Sequence, residues 1–347
     1  MPAAGLQDVA RIAGVSLSTA SRALSPEATH PVNPATRERV VEAAQSLQYQ
    51  PNLMARGLRS RRLPTIAVVV HDVTDAYFAE MVRGAEDEAY RHGFLTFVCS
   101  SHRDPAAELR YVEMLRLSRV SAVIFAAGGL IDAGYQRAMK EQVEAIRAYG
   151  GAVVSLAPRV ERWPTEVADN PGGARLMTDH LIGLGHRQIA FITGPENVAT
   201  SAEREAGYQL AMKAAGLKPL VERGDFSPAG GGRATARLLK RDRSFTALFV
   251  SSDTMAIGAL AELHRQGVRV PQDLSVGGFG DILTWEFANP ALTTIRVDLA
   301  GIGAAGVRRA LDQVAGRDTA PRVHVHQVSL VTRESTQQLQ RPVAALA

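Results

Sequence analysis

Residues 7–24 read Gln-Asp-Val-Ala-Arg-Ile-Ala-Gly-Val-Ser-Leu-Ser-Thr-Ala-Ser-Arg-Ala-Leu, and this stretch decides how the chain begins to fold. Three small apolar residues share one face of a first short helix: Val9, Ala10 and Ala13. Gly14 then tolerates the positive φ of a helix C-cap, and Ser16 is a favourable N-cap for a second helix at about 17–24. The pattern predicts a helix-turn-helix, whose second helix fits a DNA major groove.

The residues of the second helix are expected to lie on two opposite faces. The inward side is small and apolar: Ala20, Ala23 and Leu24. The outward side faces solvent or DNA: Leu17, Ser18, Ser21 and Arg22. An ordinary helical hairpin has the same spacing, so the spacing alone leaves both interpretations open.

The distribution of charge favours the DNA-binding interpretation. Residues 1–62 contain eight basic and four acidic residues, whereas the rest of the chain contains 31 of each. The whole formal net charge of +4 therefore lies in the first sixth of the chain. Such asymmetry is typical of a nucleic-acid-binding head attached to a neutral body.

Composition predicts a cytoplasmic protein with no membrane partner. The 347 residues are enough for two or three domains, and no stretch approaches the ~18 consecutive apolar residues of a membrane span. The first residues lack the basic and apolar regions of a signal peptide. The single cysteine, Cys99, lies in an apolar stretch and is expected in the core.

A third helix and a basic segment follow the helix pair. Asn33 is placed to cap the third helix and Pro34 to begin it, and the head ends near Gln50. Residues 51–64 begin and end with proline and carry four arginines. This segment is either a flexible basic linker or a hinge that becomes helical only against DNA and a partner copy.

From Thr65 onward, apolar runs alternate with amphipathic stretches. The runs fall at 66–70, 94–98, 122–125 and 152–156, and a second set falls at 188–192, 247–250 and 274–278. This alternation predicts parallel sheets with helices on both faces. The expected fold is an all-α head and hinge followed by an α/β body of two doubly wound subdomains with a ligand cleft between them.

Several motifs resemble those of one protein family, in the same order from end to end. In the head and hinge these are Asp-Val-Ala at 8–10, Ala-Gly-Val-Ser at 13–16, Ser21-Arg22 and Tyr49-Gln-Pro-Asn52. In the body they are Phe78-Ala-Glu80, Leu184-Gly-His-Arg187, Ser252-Asp253, Gly278-Phe279 and Leu292-Thr-Thr294. The chain thus resembles the lactose-repressor/galactose-repressor (LacI-type) family of bacterial transcription factors, whose body resembles periplasmic sugar-binding proteins.

The resemblance implies a set of DNA contacts. Ser16, Thr19 and Ser21 match hydroxyl residues that hold phosphates, and the base edges are read from Leu17, Ser18 and Arg22. In the hinge, the matching residues are Asn52, Ala55 and Leu58. Leu58 corresponds to a leucine that wedges into the minor groove, while Ala55 lets paired hinge helices approach closely.

The resemblance also implies an effector site in the cleft. The matching positions are Tyr77, Phe78, Arg204, Phe226, Ser252, Asp253 and Asp281. Two positions depart from sugar-binding relatives, because Gly280 and Ala157 stand where many of them carry an aspartate. The chain lacks these two acids but keeps Arg204 and has Arg296 nearby. This combination favours an anionic ligand such as a sugar acid or phosphate.

The implied domains are a head at 1–50, a hinge and linker at 51–63, a body at 64–341 and a tail at 342–347. Within the body, one subdomain comprises about 64–165 and 297–328, and the other about 166–296 and 329–341. The implied protein is a cytoplasmic homodimer that binds a near-palindromic operator, most simply as a repressor, and responds to a small metabolite. The last residues show no heptad pattern, so a dimer is expected rather than a tetramer held by a coiled coil.

Two other functions are weaker. Gly301-Ile-Gly-Ala-Ala-Gly306 fits the glycine pattern of an NAD-dependent oxidoreductase, but no acidic residue follows at the required distance, so a closely packed helix is favoured. The second alternative is a sugar-binding protein without DNA function, and the presence of the head and hinge argues against it. The pairs His180/His186 and His324/His326 lack further metal ligands nearby in sequence. The sequence therefore predicts no catalytic residue, no metal ligand and no cofactor.

Overall fold

Residues 4–24, 32–49, 63–129, 132–159, 163–282, 288–320 and 322–339 are described by the structure, a computed structural model. Contacts between Cα atoms divide the chain into two units, residues 1–63 and 64–347. Within the described residues, no helix has both the length and the apolar character needed to cross a membrane.

Three helices form the head: α1 (Leu6–Ile12), α2 (Leu17–Ala23) and α3 (Pro34–Ser46). Gly14 has a φ of 63°, and the Ser16 hydroxyl accepts a hydrogen bond from the backbone N–H of Thr19 at 3.2 Å. Asn33 caps α3 through the N–H of Ala35 at 3.0 Å, with Pro34 in the first turn. A small core holds the three helices together and includes the predicted apolar face: Val9, Ala10, Ala13, Ala20, Ala23, Val40, Ala43 and Ala44.

The body contains two six-stranded sheets, which we call the first and second lobes with their covering helices. The first part of the chain builds the first lobe from β1 (Leu63–Val70), α4 (Ala76–Arg91), β2 (Leu95–Ser100), α5 (Pro105–Leu117), β3 (Val120–Phe125), α6 (Ala133–Ala148), β4 (Ala152–Ser155) and β5 (Thr165–Ala168). The second lobe follows with α7 (Asn170–Gly183), β6 (Ile189–Thr193), α8 (Ala199–Ala214), β7 (Leu220–Arg223), α9 (Pro228–Arg241), β8 (Ala247–Val250), α10 (Asp253–Arg265), β9 (Ser275–Gly280) and β10 (Thr293–Arg296).

The chain then returns to both lobes. Helix α11 (Leu299–Val314) and β11 (Val323–His326) complete the first lobe, and β12 (Ser329–Val331) completes the second. The strand orders are β11-β5-β4-β3-β1-β2 and β12-β10-β9-β8-β6-β7. The chain thus crosses between the lobes three times, after β5, β10 and β11. The first crossing follows Ala168, slightly beyond the boundary expected near 165.

The predicted doubly wound architecture is confirmed, with one difference at an edge. Strand β12 pairs with β10 in the antiparallel direction, whereas β6 pairs with both β7 and β8 in parallel. The central strands are buried along their whole length, as at β3 and β9, because helices cover both faces. The edge strand β2 is instead largely exposed, so Cys99 is only half-buried rather than a full core residue.

The glycine-rich segment 301–306 lies within helix α11 rather than in a turn that could hold a phosphate. A Cβ atom added to Gly303 would lie 2.0 Å from the backbone oxygen of Met81 on α4. One added to Gly84 would lie equally close, at 2.0 Å, to the backbone oxygen of Ala300. The glycines therefore let α4 and α11 pack backbone to backbone, as the packing interpretation predicted.

Replacing Gly303 with alanine is expected to lower the melting temperature of the protein. The added methyl group has to displace the α4 backbone, and overpacking of this kind costs about 1–3 kcal/mol. Gly183→Ala is the matched control, because its Cβ would meet nothing within 4 Å at the end of α7. Calorimetry should show a decrease for Gly303→Ala and no decrease for the control. Equal melting temperatures would contradict the close helix contact.

Candidate functional site

The outward face of α2 carries the side chains expected to contact DNA. Leu17, 41% exposed, and Ser18 and Arg22 are accessible, while the inward-facing Ala20 is fully buried. The Ser16 hydroxyl lies 2.9 Å from both the Ser18 and Thr19 hydroxyls, so three hydroxyl groups cluster at the start of the helix. Such a cluster, next to backbone N–H groups of a helix N-terminus, is suited to phosphate oxygens.

Arg22 lies one turn further along the same face. Its Nε donates to the backbone oxygen of Ser18 at 3.3 Å, and this bond directs the side chain along the helix surface. Ser21 is half-buried beside it. The hinge residues named from sequence, Asn52, Ala55 and Leu58, lie outside the described residues.

A cavity lies between the two lobes of the body, with a volume of about 550 Å³ that includes space open to solvent. It is found where the strands of both sheets end, which is the usual ligand position in doubly wound folds. Its lining comes from His71, Asp75, Tyr77, Phe78, Arg103, Ala126, Ala127, Gly128, Ala157, Val198, Thr200, Arg204, Phe226 and Ser252.

Arg204 is the buried cation of this cavity, with only 3% of its surface exposed. Its Nε donates to Asn170 Oδ1 at 2.9 Å, Nη1 donates to the backbone oxygen of Ser251, and Nη2 approaches the Tyr77 hydroxyl at 3.4 Å. The guanidinium carbon lies 3.8 Å from the centre of the Phe279 ring. Four neighbours thus fix the guanidinium group in one orientation.

No carboxylate within the described residues forms a direct ion pair with Arg204, although Glu203 and Asp253 attract it at longer range, and burial lowers the pKa of its guanidinium. A buried positive charge without an acidic partner is costly unless other groups stabilise it. An anion or a set of ligand hydroxyls at this place would supply that stabilisation.

Aromatic and polar side chains complete the walls. Tyr77 and Phe78 begin α4 and contact each other edge to face, with ring centres 5.6 Å apart. Phe226 adopts a φ of 62°, a conformation that side chains rarely take, and its backbone oxygen accepts from Arg103 at 3.3 Å. The aromatic rings of these cavity residues suit packing against a sugar or base ring.

Two helices begin at the cavity without a side-chain cap. Helix α8 follows Val198 and α10 follows Ser252, and neither residue bonds the first turn of its helix through its side chain. The first N–H groups of both helices therefore keep their partial positive charge, which favours an acceptor-rich or anionic ligand.

Sequence reasoning missed four polar residues of the cavity: His71, Asp75, Arg103 and Thr200. His71 follows β1 and Arg103 follows β2, so the ends of two neighbouring strands were the available signal. Burial lowers the pKa of His71 to about 4, and the ring is therefore neutral at physiological pH. Arg103 adds a second positive charge at the cavity, beside Phe226.

Two predicted effector residues lie elsewhere. The Asp253 carboxylate points beneath the cavity, where it accepts from the Thr294 hydroxyl at 2.7 Å, and burial raises its pKa to about 6. Asp281 bonds Arg296 and Arg333, each at 2.6 Å, and faces a separate groove. Neither residue is among those that line the cavity.

Comparisons with known proteins found matches to both the head and the body. Residues 5–52 match the lacI family of bacterial regulatory proteins, and residues 178–336 match the periplasmic binding protein-like domain. The HTH-type transcriptional repressor CytR of Escherichia coli strain K12 is 33% identical over 343 residues, which cover 97% of each chain. The chain belongs to the lacI family.

Two further lacI-family proteins support this assignment. The HTH-type transcriptional regulator GalR of Salmonella typhimurium strain SL1344 is 34% identical, with 96% of each chain covered. The lac repressor dimer bound to operator and the anti-inducer ONPF has a TM-score of 0.83 at 30% identity, covering 96% of this chain and 99% of that one. Like these relatives, this lacI-family chain is a DNA-binding transcriptional regulator.

Proposed function

We propose that this lacI-family regulator is a dimeric repressor whose operator affinity is set by an anionic, ring-containing metabolite bound between the two lobes. The observation that carries the proposal is the buried Arg204 guanidinium, which is held by Asn170 and Tyr77 and makes no ion pair with a carboxylate of the described residues. A site that has already oriented a cation binds a carboxylate or phosphate with little loss of side-chain freedom.

The rest of the cavity supports the anionic class. Arg103 adds positive charge, and the uncapped starts of α8 and α10 add partial positive charge. Ala157 lines the cavity at the position where the family resemblance places an aspartate in many sugar-binding relatives. Asp75 is the acidic residue among the lining side chains, and its Oδ1 accepts from the Thr254 hydroxyl at 2.8 Å.

We assign DNA recognition to residues 1–50, the hinge to 51–63 and effector binding to the body at 64–341. The ligand contacts both lobes and favours one degree of closure, which changes the separation of two hinges in a dimer. Hinge order and operator affinity then change together. The relatives with which the chain is compared are named repressors or regulators, so we assign it no catalytic step, and we place its action in the cytoplasm, where an operator is found.

The exposed edge of the first lobe is the surface that we assign to the partner copy. Strand β2 ends its sheet, with Leu95 55% and Phe97 46% exposed. Exposed apolar side chains on an unpaired strand edge favour association with another chain. The occurrence of the related lac repressor as a dimer identifies a second copy as the simplest occupant.

Phe97→Glu is expected to weaken the dimer at least ~100-fold, because a twofold axis brings two new negative charges into one apolar interface. Sedimentation velocity over a concentration series measures the dissociation constant. Leu210→Glu, which changes a side chain that is 55% exposed on α8, is the matched control and should leave the dimer intact. An unchanged dimer in Phe97→Glu would place the interface elsewhere.

A thermal-shift screen of the purified protein against sugar acids, sugar phosphates, nucleotides and neutral sugars tests the proposed function. A ligand at about 100 times its Kd stabilises the folded protein by about 2.7 kcal/mol. The expected hit is an acid or phosphate that also changes binding to an operator selected from random duplexes. Stabilisation by neutral sugars alone would contradict the anionic class, and a hit without effect on operator binding would contradict the regulatory role.

A further inference from the structure

Three side chains of metal-binding types meet at the edge of the first lobe, and one of them lies far along the chain from the other two. Glu166 lies on β5, and His324 and His326 lie on the neighbouring strand β11. The two strands are parallel, with His324 opposite Glu166 and His326 opposite Ala168. Because alternate residues of a strand share a face, both imidazole rings lie on the same side of the sheet.

The donor atoms of this cluster converge. Glu166 Oε2 lies 2.7 Å from His324 Nδ1 and 2.8 Å from His326 Nε2, and all three atoms lie within 4.8 Å of one another. Two ligands that each lie about 2.1 Å from a tetrahedral ion are about 3.4 Å apart. Small rotations of the two imidazole rings would therefore open room for an ion.

Neighbouring groups fix the carboxylate and leave the histidines accessible. Glu166 is buried, with 4% exposure, and its other oxygen Oε1 accepts from Arg309 at 3.0 Å. Asp318 lies 3.5 Å from the same arginine and offsets part of its positive charge. The side chains of His324 and His326 are 54% and 19% exposed, so an ion can enter from solvent.

We propose that Glu166, His324 and His326 form a binding site for a divalent transition metal ion of the zinc class. Imidazole and carboxylate ligands suit such ions, and three protein ligands leave further coordination positions for water. The sequence alone predicts no metal ligand here because the third ligand lies 158 residues away from His324.

The site lies next to connections between the two lobes, so a bound ion would affect the structure there. Strand β5 ends at Ala168 and β11 ends at His326, and the chain crosses to the second lobe directly after each of them. The backbone N–H of Asp169 already donates to the backbone oxygen of His326 at 3.0 Å. A bound ion would join the two strands at the base of two of the three connections between the lobes.

Isothermal titration of the full, untagged chain with zinc chloride in a buffer that does not bind zinc tests the proposal. We expect one zinc ion per chain and a zinc-dependent rise in melting temperature. Loss of a residue that only orients a ligand lowers metal affinity ~10–100-fold, so His324→Ala/His326→Ala should lower it more than ~100-fold. His102→Ala/His264→Ala, which removes two exposed histidines outside the cluster, should bind as the parent chain does.

Two results would overturn the proposal. One is zinc binding by the His324→Ala/His326→Ala variant that is as tight as in the control variant. The other is the absence of binding by the parent chain, which would identify the cluster as an ion-pair network only. Melting curves recorded without zinc establish that each variant is folded, and operator binding is measured separately, so failure here leaves the proposed regulatory function standing.

Discussion

Arg204→Met is expected to raise the Kd of the effector at least ~30-fold, because truncating one partner of a buried, hydrogen-bonded charge pair costs about 2–5 kcal/mol. Methionine keeps much of the length of the side chain and its packing on Phe279, while it removes the charge and the bonds to Asn170 and Ser251. Isothermal titration with the compound found in the screen measures the change.

Arg204→Lys separates the effect of charge from that of geometry. Lysine keeps the positive charge but lacks the planar fork that bonds Asn170 and Tyr77 together, so an anionic ligand should bind it more weakly than the parent and more tightly than Arg204→Met. Equal affinities for the lysine and methionine variants would contradict an anionic effector. Arg223→Met, on the surface of the same lobe, is the control and should bind normally.

Arg22→Ala is expected to weaken binding to the selected operator at least ~30-fold, since a bidentate arginine–guanine contact is worth about 1–3 kcal/mol and a dimer makes it in both half-sites. Gel-shift titration at fixed salt measures the change. Affinity for unrelated duplexes should fall much less, because base contacts rather than phosphate contacts are removed.

Arg11→Ala is the matched control for the head. Arg11 is also exposed, but it lies on α1 in an ion pair with Asp8 at 2.8 Å rather than on the outward face of α2. Its replacement should change operator affinity less than tenfold. Equal losses for Arg11→Ala and Arg22→Ala, or equal losses on operator and unrelated DNA, would contradict base reading from α2.

Interactions between residues close together in the sequence were enough to predict the head and the order of elements in the body. Gly14 and Ser16 act through their own backbone neighbours, so their roles as helix end and helix cap are confirmed. The alternation of apolar runs likewise reports burial of the central strands on both faces, which is a local property. Five predicted effector residues line the cavity, in loops or in the first two turns of helices that come after strands: Tyr77, Phe78, Arg204, Phe226 and Ser252.

Features that depend on contacts between residues far apart in the sequence were not predictable in this way. Asp281 was placed in the effector site by its motif, but its φ of 56° and the approach of Arg333 turn its carboxylate to another groove. Glu166 meets His324 and His326 only because β11 pairs with β5. Arg103 lies in a loop with a φ of 61° and lines the cavity, and no periodicity in the sequence predicts such a backbone conformation.

The threefold crossing between the lobes also constrains how this chain is synthesised. Residues 323–331 supply an edge strand to each sheet, β11 beside β5 and β12 beside β10. On the ribosome, β5 and β10 therefore each lack one neighbouring strand until residues 323–331 have emerged, and unpaired strands are sites of aggregation. A premature stop codon before residue 323 would leave two incomplete lobes rather than one finished lobe and one missing lobe. Nascent chains of this protein should accordingly depend on chaperones until the very last strands are made.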